Sequence, residues 1–172
     1  MKDDLEHILK LCKLYQGKLE EFAPNYPTGS CYISAYFFAN YLKDRYNARL
    51  VFGSLAIVGK SNKYAVYGAI KNVKNINIGD YHAWCELVID GKEYIVDPSL
   101  KYNIKFLKVN YKFKVSPKVP DIVISDQKST FNFKYIENSN FRKFADPFIK
   151  QIPETLLQLL TLELDTLAFG KN

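Results

Sequence analysis

Residues 82–99 read His82-Ala83-Trp84-Cys85-Glu86-Leu87-Val88-Ile89-Asp90-Gly91-Lys92-Glu93-Tyr94-Ile95-Val96-Asp97-Pro98-Ser99. Two apolar runs, 83–89 and 93–96, flank Asp90-Gly91. Asp-Gly readily takes the positive φ values of a tight two-residue turn, so this stretch is expected to be a β-hairpin. Pairing about that turn sets side by side positions whose numbers sum to about 181, which makes Asp97 a diagonal neighbour of His82, within side-chain reach. The hairpin thus carries one of only two histidines in the chain and a carboxylate placed to orient its ring.

Outward from the hairpin, residues 49–58 and 64–70 are expected strands around the polar turn 59–63. Residues 71–80, rich in Asn and Lys, are expected to be a loop. Residues 104–115 alternate lysines with apolar side chains and read as a further half-buried strand, with weaker ones at 121–125 and 130–136. Toward the N-terminus, residues 4–22 repeat apolar positions at three- and four-residue spacing and read as a helix. Pro24 and Pro27 break it. Ser30 is placed to cap a second helix running to about Tyr46, apolar nearly all round and so expected to be central and buried. Residues 152–169 form a leucine-rich amphipathic helix ending near Gly170. The expected class is α+β: early helices, an antiparallel sheet, a closing helix.

At 172 residues and 48% apolar composition, with 12 Phe and 13 Tyr, the chain reads as one globular domain with a sizeable core. No apolar run reaches the roughly 18 residues of a membrane span, and residues 1–7 lack the basic-then-apolar order of a signal peptide. Three widely spaced cysteines fit free thiols in a reducing compartment, which points to the cytoplasm or to export without a classical signal peptide. The net charge of +6 owes much to Lys101, Lys105, Lys108, Lys112, Lys114 and Lys118. With no arginine cluster or nucleic-acid motif nearby, they read as a solvated strand face, and a nucleic-acid partner is not expected.

The chemistry centres on Thr28-Gly29-Ser30-Cys31-Tyr32. A cysteine in the first turn of a helix meets unpaired backbone N–H groups and the positive end of the macrodipole, both of which favour thiolate over thiol. The Cys31 N–H also points to where an oxyanion would form on an attacked carbonyl. Cys31, His82 and Asp97, in that chain order, are the parts of a cysteine nucleophile site. A zinc site from Cys12, Cys31, His82 and Cys85 is the metal alternative, but no close cysteine pair of the kind structural zinc favours is present, so no metal is expected. Cys85 is expected on the sheet face opposite Trp84, and Cys12 on the apolar side of the first helix. Both read as buried and inert.

Gly29-Ser30-Cys31-Tyr32-Ile33-Ser34-Ala35, His82-Ala83-Trp84 and Asp97-Pro98 resemble the Cys motif and the His-Ala-Trp and Asp-Pro motifs of the transglutaminase-like superfamily. Residues 49–53 resemble the strand that follows its catalytic helix, and the likeness spans about residues 25–100. The resemblance implies a papain-like, transglutaminase-core fold in which a catalytic helix packs on an antiparallel sheet. Cys31 is then nucleophile, His82 base and acid, and Asp97 orienter, with a protein or peptide substrate and no cofactor. Papain-like peptidases place a glutamine six residues before the cysteine; Asn25 stands there and is the oxyanion candidate, its other reading being a turn residue between two prolines. Trp84 is expected to shield the His–Asp bond or simply to fill the core. The superfamily covers crosslinking acyl transferases, glutamine deamidases, peptidases and inactive members. An inactive binding module and an arylamine N-acetyltransferase-like enzyme are the alternatives. Tyr32 stands where the crosslinking enzymes carry Trp, and no acidic cluster resembles a calcium loop.

Overall fold

In the computed structural model, which describes residues 2–22, 24, 30–71, 75–149 and 152–169, helix α1 (Lys2–Phe22) is followed by α2 (Cys31–Tyr41) and its short continuation α3 (Lys43–Tyr46). Strands β1 (Arg49–Val58), β2 (Tyr64–Tyr67), β3 (Asn75–Gly79), β4 (His82–Ile89) and β5 (Lys92–Asp97) come next. Then follow α4 (Leu100–Tyr111), β6 (Val123–Ser125), β7 (Phe133–Glu137), α5 (Arg142–Ile149) and α6 (Glu154–Phe169). The class is α+β. Gly170, near which this last helix was expected to end, lies outside the described residues. Among the described residues no helix is long and apolar enough to cross a membrane.

β4 and β5 form the expected hairpin, with Cys85 opposite Val96 and Ile89 opposite Lys92, in the expected register. Asp90 and Gly91 take φ values of 50° and 78°, as a tight hairpin turn with a right-handed twist requires. β1 lends its first half to β4 and its second half to β2 and β7, all antiparallel, and β6 extends the sheet from β5. The sheet is mixed rather than antiparallel, because β3 pairs with β2 in parallel. β3 lies in the stretch expected to be a loop. Its alternating Ile76 and Ile78 sit among asparagines, too weak a pattern to announce a strand, and its hydrogen bonds come from the open edge of β2.

The larger correction is α4. Residues 104–115 were expected to be a strand, and most of them are helix. Leu100, Asn103 and Leu107 are buried, at spacings of three and four, while Lys105, Lys108 and Lys112 are exposed. The apparent alternation of lysine with aromatic side chains was one projection of that 3.6-residue period. The lysines therefore line the outside of a helix and the loop after it, and Lys101 bonds to Glu20 on α1. α5 carried no clear sequence signal and contains Pro147.

The sheet has two apolar faces. On one, Cys85, Leu87, Ile89 and Val96 meet Ile33, Phe37 and Phe38 of α2, with α1 and α6 packed behind. On the other, Trp84 and Ile95 meet Val51, Leu55, Phe133 and Tyr135. Period-two alternation thus splits Cys85 from Trp84, as expected. Gly53 permits a close crossing at the second face: a Cβ there would lie 2.0 Å from the Ile136 carbonyl oxygen and 2.8 Å from the Trp84 ring. That approach lets β7 run beside β1 and bring Tyr135 over the hairpin.

Candidate active site

The site is built on the end of the hairpin. β4 begins at His82 and β5 ends at Asp97, and both side chains fall on the Trp84 face. The diagonal offset brings His82 Nε2 to 2.8 Å from Asp97 Oδ2. Both residues are buried, at 0% and 1% exposure, so this ion pair owes nothing to solvent.

Asp97 has two donors on each oxygen. Oδ2 accepts from His82 and from the Tyr135 hydroxyl at 2.7 Å. Oδ1 accepts from the backbone N–H of Ser99 at 2.9 Å and its hydroxyl at 2.6 Å. Burial alone would push this carboxyl pKa up, but the charge and hydrogen bond of His82, with the Ser99 and Tyr135 bonds, hold it below the usual carboxylate value. Ser30 and Ser99 occupy the N-cap positions of α2 and α4, and neither makes a side-chain capping bond. The Ser99 hydroxyl goes to Asp97 instead. From α1, Gln16 Nε2 donates to the Pro98 carbonyl at 2.7 Å and fixes the chain just past Asp97.

Burial also works against a charge on His82, but Asp97 opposes it by charge and hydrogen bond, aided by the Cys31 thiol. The imidazole pKa is pushed up to about 10. At neutral pH the pair is therefore an imidazolium with a carboxylate. Trp84 lies parallel to the imidazole at 6.3 Å, fully buried, with its indole N–H donating to Glu86 at 3.1 Å.

Cys31 is the first residue of α2 and is 8% exposed. The helix's first i−4 bond runs from Ser34 N–H to the Ser30 carbonyl, so the N–H groups of Cys31, Tyr32 and Ile33 have no intrahelical acceptor. Cys31 lies close enough to His82, Tyr67 and Tyr81 to affect the protonation of all three. The Cys12 and Cys85 thiols are buried in the helix-side core, where burial raises their pKa values and suppresses the thiolate. Among the described residues no group of three His, Cys, Asp or Glu is arranged to hold a metal ion. Asn25, the oxyanion candidate, lies outside the described residues.

A cavity of about 570 Å³ opens beside Cys31. Ile78, Gly79, Asp80 and Tyr81 form one wall, Asn103 and Phe106 of α4 a second, and Phe144, Phe148 and Ile152 a third. The contribution of α4 and α5 was not expected, since one was misread and the other had no signal. Tyr135, Ser99, Gln16, Tyr67 and Asn103 all went unread as site residues. Ser99 had a local signal, two residues past an aspartate where a hydroxyl and an N–H close a turn. Tyr135 had none, because β7 meets the hairpin only through β1.

No protein-family model matches the chain, and no curated protein matches it. Among solved structures it is similar to "The crystal structure of genomics APC5867", with a TM-score of 0.53 and 12% sequence identity, over 92% of this chain and 77% of that one. At that identity the likeness is one of fold.

Proposed function

We propose that this chain is a cysteine-dependent acyl hydrolase or transferase that acts on amide bonds of a protein or peptide, with a papain-like, transglutaminase-core arrangement. The observation that carries the reading is the buried His82–Asp97 pair at 2.8 Å beside a cysteine in the first turn of a buried helix. An imidazolium held by a saturated carboxylate stabilises a thiolate next to it.

The Cys31 thiolate attacks the amide carbonyl carbon, and a C–S bond forms as the carbonyl π pair moves to oxygen. Collapse of that oxyanion breaks the C–N bond, and the amine leaves with the proton of His82. The ring, now neutral, takes a proton from the incoming water or amine as it attacks the thioester, and the thiolate departs. Asp97 holds one ring orientation through both transfers.

The test is alkylation of each cysteine by iodoacetamide against pH, read by mass spectrometry, in wild type and His82→Ala. Cys31 is expected to be alkylated faster than the other two cysteines and to lose that advantage without the ring. Cys12 and Cys85 are expected to stay inert. A Cys31 that reacts no faster in wild type than in His82→Ala sinks the enzymatic reading and leaves a binding module on the same fold.

A further inference from the structure

Among the described residues three buried side-chain polar atoms lack a hydrogen-bond partner: Tyr67 Oη, Asn103 Nδ2 and His82 Nδ1. They come from β2, α4 and β4. Tyr67 and Asn103 line the cavity with Cys31, and the Tyr67 and His82 rings lie 5.8 Å apart. Unpaired buried donors are rare and costly, and the Cys31 thiol acts on the His82 ring, so the two on the walls of the Cys31 cavity, Tyr67 Oη and Asn103 Nδ2, call for a ligand that completes them. The Asn103 amide nitrogen only donates, and Tyr67 stays a phenol because burial and the neighbouring thiol push its pKa up. Both therefore suit an oxygen that gains negative charge at Cys31.

The rest of the cavity describes what is attached to that oxygen. Its walls include Ile33, Ile78, Phe106, Phe144, Phe148 and Ile152; among the described residues Asp80 is the one carboxylate lining it, and no Lys or Arg does. We propose that Tyr67 and Asn103 receive the acyl oxygen of the substrate at Cys31, and that the residue beside the reacting carbonyl is aromatic or branched apolar. The proposal rests on Cys31 as nucleophile and deepens that reading.

The probes are p-nitrophenyl esters of N-acetylphenylalanine, N-acetylglycine and N-acetylaspartate, followed by the burst of p-nitrophenolate. The Cys31 thiolate attacks the ester carbonyl, the C–S bond forms, the C–O bond breaks with its electron pair on p-nitrophenolate, and water later hydrolyses the thioester. Iodoacetamide is the control, because the thiolate displaces iodide at a saturated carbon and no oxyanion forms. Tyr67→Phe and Asn103→Leu are each expected to slow acylation by about 100-fold while Cys31 alkylation stays within about twofold. The phenylalanine ester is expected to acylate at least about tenfold faster than the other two. Acylation unchanged in both variants, or acylation and alkylation falling together, overturns the donor assignment. A glycine or aspartate ester that matches the phenylalanine ester overturns the apolar assignment. Wild-type Cys31 that alkylates as a thiolate yet accepts none of the esters overturns this proposal and leaves the activated thiol standing. A Cys31 inert to both reagents brings down the proposed function itself.

Discussion

Asp97 and Asn103 are six residues apart, and both are buried, but they are treated in opposite ways. The Asp97 carboxylate collects four donors from three residues, while the Asn103 amide nitrogen meets no acceptor. The same division runs through one ring. His82 Nε2 is bonded to Asp97, and His82 Nδ1, with no hydrogen bond within the fold, is the nitrogen left for the Cys31 thiol. A line through the imidazole thus separates a saturated region behind it from an unsaturated region in front, where Cys31 and the cavity lie. Hydrogen bonds made within the fold stabilise it, whereas donors held open cost stability and keep their capacity for a substrate. The contrast also separates support from contact: changes behind the ring should be read in folding, and changes in front of it in chemistry.

Removing the centre of the saturated region has the largest expected effect. Asp97→Ala leaves a buried imidazolium without its counter-charge and strands the donors of Ser99 and Tyr135, at a cost of about 3–5 kcal/mol. Urea unfolding followed by circular dichroism measures it. A loss under about 1 kcal/mol would break the comparison, because the four bonds would then be incidental.

The pair also dictates how stability varies with pH. His82 holds its proton more tightly folded, with a pKa of about 10, than unfolded, near 6.5. Its contribution is therefore complete below about pH 6.5 and fades as pH rises toward 10. Asp97 has a folded pKa below its usual 3.8, so its contribution is complete above that value and is lost as pH falls through the folded pKa. Urea midpoints should form a plateau between about pH 4 and 6.5 and decline on both sides. In Asp97→Asn the alkaline decline from about 6.5 to 10 should flatten. An alkaline limb of equal depth in that variant would place its origin elsewhere.

Tyr135→Phe removes one of the four bonds and no charge, so the expected loss is about 1.5–3 kcal/mol, the range for a hydrogen bond to an ionised group. The imidazolium keeps its carboxylate, and Cys31 alkylation should hold its pH profile. A displaced profile would mean that Tyr135 sets the charge of the pair and does more than anchor it.

The two regions also differed in how far the sequence revealed them. The His82–Asp97 geometry was readable because a two-residue turn fixes register, and register fixes which side chains meet across two strands. Cys31 was readable because the helix start lies next to it in the chain. Tyr135 was hidden, since β7 reaches the hairpin only by pairing with β1 past Gly53, where the lack of a side chain admits the crossing. Asn103 was hidden for a different reason. Lysines spaced along an amphipathic helix can project as alternation over a short window, and 104–115 looked like a strand that way. A stretch misread as a strand could not be seen to send a side chain into the cavity from a helix.

The smallest effect on folding is the sharpest probe of the contrast. Tyr67→Phe deletes a buried hydroxyl that has no partner, so no hydrogen bond is lost and a desolvated polar group is removed. Stability should hold within about 0.5 kcal/mol or rise. The same deletion of a phenolic oxygen behind the ring, in Tyr135→Phe, carries the penalty stated above. Two tyrosines with buried hydroxyls near His82, stripped of the same atom, should therefore separate by 1 kcal/mol or more in urea unfolding, with chemistry following the opposite order. Equal losses would mean that the Tyr67 hydroxyl has an acceptor in solution, and the unsaturated region would shrink to Asn103 and His82 Nδ1.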